Sequence, residues 1–339
     1  MVTPETPPAS HPPLLSLGEV LNRADELLLA GQAPAARPLP TGFGLLDRYL
    51  AGGLRGGELC LLGGPQGLGK TAFALMVARH AAAGGEACVV VSYEHDQVTL
   101  LERMVSLEAG DSIGMEGVHL RRVREALERT RGGSLEERLS TSFGGASAVA
   151  SLRGYGDRLL VHPAGPEPAG LKEIRAFVTA AAERTGRTPL LVVDYLQKIP
   201  VDGGTSDDDR IARAVAGLKS IALDLGVPVL AVSAADKAGL TPGRRLRVNH
   251  LHGPAGLAYE ADVILLLNEK FDVVARHHLV YDTRSVERFR DYVVLTIEKN
   301  RSGVAGIDLQ LRKRLEQSRF ERDAEDVPEE LVDERLFVD

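Results

Sequence analysis

Gly64-Pro65-Gln66-Gly67-Leu68-Gly69-Lys70-Thr71 is the stretch whose reading decides the fold. It has the form GxxxxGK[ST], and its flanks give it meaning. Leu59-Cys60-Leu61-Leu62 before it is a short apolar run of strand length, and Thr71-Ala72-Phe73-Ala74-Leu75-Met76-Val77-Ala78 opens an apolar helix. The glycines at 64, 67 and 69 let the backbone curl until successive N–H groups face inward at the positive end of that helix, which makes an anion cradle. Lys70 then serves as a point charge for the outer phosphates, and the Thr71 hydroxyl completes the shell of a magnesium ion that keeps most of its waters. The spacing predicts a bound nucleoside triphosphate with Mg2+.

Outward from this loop, strand-like and helix-like runs alternate from Gly42 onward, the pattern of a mostly parallel sheet covered by helices on both faces. Strands are expected at 58–62, 87–92, 159–162, 190–193, 227–232, 263–267 and 293–298. The run Pro189 to Val193 ends in Asp194, the carboxylate that such a site uses to hold magnesium through water. The run Ala87 to Ser92 ends in Tyr93-Glu94; Glu94 is placed either to activate a water or simply to end a strand.

Residues 1–13, with five prolines, read as disordered, and 14–40 as a linker helix followed by a Pro/Ala-rich link. Ser16-Leu17-Gly18-Glu19 is a capping box, and Leu17, Val20, Leu21, Ala24, Leu27 and Leu28 follow at helical spacing. The apolar face of this helix needs a partner in its own core or in a neighbouring subunit. Residues 41–316 form the nucleotide domain; Thr141 to Ser151 within it reads as a mobile surface insertion, and 317–339 as an acidic, solvated tail.

The chain has 339 residues, 44% hydrophobic and 26% charged, with a formal net charge of −7, so a generally basic nucleic-acid coat is excluded and any such contact must be local. Cys60 and Cys88 lie in apolar runs and read as buried reduced thiols, which points to a cytoplasmic protein. No apolar run reaches membrane-spanning length. The pairs His250/His252 and His277/His278 lack a Cys or carboxylate at ligand spacing and are not read as metal sites.

Thr41-Gly42-Phe43-Gly44-Leu45-Leu46-Asp47, Gly53-Leu54, Gly56-Gly57-Glu58-Leu59, the phosphate loop, Ser92-Tyr93-Glu94, Asp194-Tyr195-Leu196-Gln197, Val227-Pro228-Val229, Glu260-Ala261-Asp262-Val263-Ile264 and Lys299-Asn300-Arg301-Ser302-Gly303 follow in an order and spacing that resemble the C-terminal ATPase domain of DnaB-type replicative helicases. The resemblance spans roughly residues 14 to 315. It implies an α/β, RecA-like P-loop NTPase that forms a homo-oligomeric, hexameric ring with ATP and Mg2+ between neighbours and single-stranded DNA in its channel. By position, Lys70 and Thr71 resemble the family's phosphate and magnesium contacts, Glu94 its base, Asp194 its metal-side acid, and Lys299 and Arg301 the basic residues that reach the next subunit's site, Arg301 as arginine finger. From the residues alone, Lys299 and Arg301 read rather as a basic turn between two strands.

Departures from the family concern DNA. Ala234 stands where the family has a phosphate-sensing glutamine, and an alanine side chain cannot hydrogen-bond. Asp207-Asp208-Asp209 in the loop after Asp194-Tyr195-Leu196-Gln197 repel a phosphate backbone, leaving Arg210 and Arg213 as nearby positive charge. Lys237, Arg244, Arg245 and Arg247 form the better nucleic-acid candidate, open equally to the reading of a solvated face. Aromatic residues are 4% of the chain and absent from both loops, so base stacking contributes little. The family's N-terminal collar has no counterpart before Ser16, so loader and primase contacts are not implied. Two readings follow: an ATP-driven ring helicase or translocase, and a RecA-fold ATPase whose nucleotide state controls assembly or partner binding without unwinding DNA.

Overall fold

Along the strand before the phosphate loop, β1 (Leu59–Gly64), every residue is buried, and the side chains alternate between two cores. Cys60 and Leu62 enter one, while Leu59 and Leu61 enter the other. The period of two along a strand explains the split, and a strand apolar on both faces belongs in the middle of a three-layer structure. The computed structural model describes residues 14–33, 37–237, 239–241, 243–280 and 283–334, with no account of the side chains at 280 and 283–286.

After α2 (Gly44–Tyr49) and β1 come α3 (Lys70–Ala83), β2 (Cys88–Ser92), α4 (Gln97–Ile113), α5 (Leu120–Glu128), α6 (Leu135–Arg138), α7 (Gly145–Tyr155), β3 (Leu159–His162), α8 (Leu171–Thr185), β4 (Leu190–Asp194), α9 (Asp207–Leu225) and β5 (Val229–Ala234). Then follow α10 (Gly256–Glu260), β6 (Val263–Glu269), the short helices α11 (Lys270–Val273), α12 (Arg276–Val280) and α13 (Thr283–Arg290), and β7 (Tyr292–Asn300), β8 (Ile307–Arg314), β9 (Arg319–Phe320) and β10 (Glu325–Asp326). The sheet runs β10-β8-β7-β6-β1-β5-β4-β2-β3, with β9 paired to β8. From β3 to β6 the strands are parallel, and β7, β8 and β10 add an antiparallel wing. Each of the seven expected strands is present, and the α/β, RecA-like reading holds.

On one face α3 contributes Phe73, Met76 and Val77 to a core with Cys60, Val90, Val192 and Leu230. Phe73 stacks on Phe43 with centroids 4.7 Å apart and meets Phe320 edge-on at 6.4 Å. On the other face Ile174 and Val178 of α8 and Ile211, Val215 and Leu218 of α9 cover Leu61, Val91, Val193 and Ala231. Cys60 and Cys88 are free and buried, and burial pushes both thiols up.

Two sequence expectations are corrected. Thr141 to Ser151 is not a loose insertion, because its second half starts α7, whose Ala148 and Val149 join a third core with Val105 and Ala109 of α4. Ser/Gly/Ala composition suggested a loop, yet small residues also allow helices to approach closely. The acid-rich segment after 316 is not a solvated tail: Phe320 is fully buried, β9 and β10 join the sheet, and Leu331 bridges Val274. Its acids pair with cations elsewhere, Asp333 with Arg247 and Glu329 with Lys270. Residues 1–13 and 335–339 lie outside the described residues.

The chain divides after Arg37. In the first unit, α1 (Leu17–Leu29) starts with the capping box read from the sequence: Glu19 N donates to Ser16 Oγ at 3.2 Å, and Ser16 N donates to Glu19 Oε2 at 2.7 Å. Leu17, Leu21 and Leu28 are exposed.

Candidate functional site

The phosphate loop spans the end of β1 and the start of α3, and two of its glycines take left-handed backbone, Gly67 at φ 80° and Gly69 at φ 86°. A Cβ at Gly69 would lie 2.7 Å from Leu315 Cδ2 and 2.9 Å from Phe320 Cζ, so both conformation and space demand glycine there. Lys70 Nζ donates to the carbonyls of Gly64 at 2.7 Å and Pro65 at 2.8 Å. Burial lowers its pKa, opposed by the charges of Asp194 and Glu94.

The tips of β1, β4 and β2 bring the acids to this loop. Thr71 Oγ1 donates to Asp194 Oδ2 at 2.7 Å. Burial raises the Asp194 carboxyl above its ordinary value of 3.8, with the Thr71 hydrogen bond opposing. Ser92 lies beside Asp194 in the parallel register, and Tyr93 N donates to Asp194 O at 2.7 Å between the two strand ends; the Asp194–Tyr195 peptide is cis. Beyond Ser92 the strand breaks into a turn in which Ser92 Oγ accepts from the N–H of Glu94 and of His95. Side-chain alternation ends there, and Glu94, His95 and Asp194 present ligand atoms within 4.8 Å of one another.

A cavity of about 530 Å³ is lined by Gly67, Gly69, Lys70, Thr71, Glu94 and Asp194, and also by Arg103 and Leu315. Its size suits a small-molecule ligand. The pairing of a threonine hydroxyl with a buried carboxylate offers oxygen-only donors, which fit magnesium. Gln66 also lines the cavity, Pro65 contributes its carbonyl to Lys70, and Leu68 is buried beneath the loop.

Among the cavity residues that the sequence reading missed is Arg103. It comes from α4, its Nη1 donates to Ser318 Oγ at 3.3 Å, and its buried Nε has no partner. The only signal was its place on the helical face shared with Leu100, which is buried. Ala234 lines the same cavity, and its N–H donates to Gln197 Oε1 at 3.1 Å. Gln197 Nε2 in turn donates to Ser233 Oγ and to the His252 carbonyl, both at 2.9 Å, so a glutamine from the short turn after β4 ties β5 to the loop that follows β5.

Lys299 and Arg301 lie elsewhere. Asn300 pairs with Val263, which pairs with Cys60, placing them by the start of β1 while the phosphate loop follows its end. Arg301 Nη1 meets Asp262 Oδ1 at 3.1 Å and its Nη2 donates to Tyr259 O at 2.6 Å; Lys299 Nζ donates to the carbonyls of Ala258 and Ala261.

The candidate DNA residues are largely paired within the chain. Arg210 meets Asp207 at 2.9 Å and Arg213 meets Asp209 at 3.2 Å. Arg245 is 6% exposed, bonded to Thr296 and Asp308, and so does not form part of an open basic face. Arg247 pairs with Glu298 at 3.2 Å and with Asp333. Arg244 is half-buried and its backbone bridges to Glu334, while Lys237 is exposed. The partners of Arg210 and Arg213 are three and four residues away, but sequence could not show those of Arg245 and Arg247, because Thr296, Glu298, Asp308 and Asp333 are distant in the chain.

Fold and site together define a RecA-like P-loop nucleotide-binding domain. The model of the DnaB-like helicase C-terminal domain matches residues 38–141 and 161–322, and the chain belongs to that family. The gap between the two matched stretches coincides with α7. The structure is similar to the ATPase domain of G40P, with TM-score 0.69 and 21% identity over 90% of this chain and 98% of that one. It is equally similar, at TM-score 0.69 and 21% identity, to a DnaB-like replicative helicase solved with attention to its interactions with primase, over 90% of this chain and 68% of that one. No curated protein matches the sequence. Among the described residues no helix is long and apolar enough to cross a membrane.

Proposed function

We propose that this chain hydrolyses ATP with Mg2+ at the boundaries of a homo-oligomeric ring and uses that hydrolysis to move on single-stranded DNA. The observation that carries the ATPase reading is the convergence of Lys70, Thr71, Glu94 and Asp194 on one cavity. Thr71 and Asp194 would hold the magnesium, which neutralises charge on the outer phosphates. Lys70 leaves its two carbonyls for the phosphates, and Glu94, exposed at the cavity mouth, orients and deprotonates the attacking water. Arg103 faces the same space and adds positive charge from within the subunit.

Assembly is supported by the location of Arg301. From Leu59 to Gly64 are five residue steps, a rise of roughly 17 Å, which is far beyond an arginine's reach. Arg301 can therefore contribute to hydrolysis only in a neighbour's site, where it would act as the finger and Lys299 as its support. The exposed leucines of α1 supply an apolar face for subunit contact.

A second reading, nucleotide-controlled assembly or partner binding without unwinding, is favoured by Ala234 and by the internal pairing of Arg210, Arg213, Arg245 and Arg247. Steady-state ATPase activity with and without single-stranded DNA at moderate salt, with Glu94→Gln as blank, separates the two. Strong stimulation supports the motor and makes Gln197 the route from site to loop; indifference to DNA leaves the switch.

A further inference from the structure

The ordinary magnesium shell of this site uses oxygen alone, yet an imidazole stands beside it. His95 lines the nucleotide cavity, and its backbone is pinned on both sides, its N–H donating to Ser92 Oγ at 3.1 Å and its carbonyl accepting from Ala164 N at 2.9 Å. The main chain of His95 is thereby fixed at the edge of the cleft, with its half-buried ring lining it. One ligand atom each from Glu94, His95 and Asp194 lie within 4.8 Å of one another.

We propose that Glu94, His95 and Asp194 form a second cation site, selective for a borderline divalent transition metal of the zinc type over magnesium. Imidazole nitrogen suits such ions, whereas magnesium prefers oxygen in a strict octahedron. Ligand atoms about 2.0–2.2 Å from a tetrahedral zinc sit roughly 3.3 Å apart, so the cluster must close. Glu94 is exposed and can supply that movement by changing rotamer, while Asp194 stays fixed in the sheet. Lys70 and Arg103 line the same cavity and oppose the ion electrostatically, and the two carboxylates of Glu94 and Asp194 offset their charge.

The consequence for turnover rests on the role proposed for Glu94; the site itself does not. An ion held there takes the carboxylate that would act on water, so zinc inhibits hydrolysis even when magnesium saturates the nucleotide.

The test is calorimetric titration of Zn2+ into tag-free, nucleotide-free protein in excess Mg2+. We expect one ion per chain, weakened about tenfold or more in His95→Ala and unchanged in His252→Ala. Absent binding in the wild type, or equal binding in His95→Ala, overturns the site. Binding of a fluorescent ATP analogue with Mg2+ is measured in parallel. Nucleotide binding without zinc binding refutes the metal site alone, and His95-dependent zinc binding without nucleotide binding refutes the ATP reading alone.

Discussion

The location of Arg301 allows a quantitative test. Arg301→Ala and Lys70→Ala should each abolish hydrolysis, the first by a factor of roughly 10³ or more, as for other arginine fingers. Neither change should unfold the chain. Arg301 is 51% exposed in its pairing with Asp262, and such pairs contribute about 1 kcal/mol or less. Asp262 also keeps Lys219 at 2.6 Å and the Leu59 N–H at 2.8 Å after Arg301 is removed. When the two inactive variants are mixed and allowed to reassemble, a working site needs an Arg301→Ala subunit, with its phosphate loop intact, facing a Lys70→Ala subunit, with its arginine intact. In a random equal mixture of independent sites about one quarter meet that condition, so about a quarter of wild-type activity should return in a coupled-enzyme assay. A mixture no more active than its components refutes the trans role, whatever the ring size.

Glu94→Gln should retain nucleotide binding with little turnover, and normal turnover would remove Glu94 from the mechanism. Burial holds the Asp194 pKa above 3.8, so the folded state binds that proton more tightly than the unfolded chain does. Asp194 therefore contributes stability below its unfolded value and loses it as pH rises through the raised folded value. Asp194→Asn should raise the thermal midpoint of nucleotide-free protein at neutral pH while weakening Mg2+-dependent nucleotide binding; a lower midpoint counts against burial as the dominant influence. Phe320→Ala should cost about 3–5 kcal/mol in denaturant unfolding, since its ring is fully buried against Phe73. A loss well under 1 kcal/mol would mean that the segment after 316 is peripheral after all.

Legibility in the sequence followed the range of the interactions. The seven expected strands are continuous apolar runs because parallel strands bury both faces, a property written into consecutive residues. β9 and β10, two residues each, were invisible because nothing local makes Arg319-Phe320 or Glu325-Asp326 a strand; they pair because β8 offers an edge. The acid content of that segment misled for the same reason, since a carboxylate such as Asp333 reads as solvated until its partner, Arg247, is known. Arg245 shows the converse error. Its neighbours in sequence made a basic patch, and its neighbours in space, Thr296 and Asp308, made it a buried ion pair.

The sequence by itself determined the phosphate loop, its flanking strand and helix, the apolar strand ending in Asp194 and the capped start of α1, all of which depend on contacts within a few residues. Tertiary structure alone decided what meets at the cavity. Parallel pairing of β2 with β4 set Glu94 and His95 beside Asp194, α4 brought in Arg103, and the antiparallel wing carried Arg301 to the opposite end of the sheet. Strand register and helix docking are set by the whole core, and no local pattern of residues encodes which ends will converge.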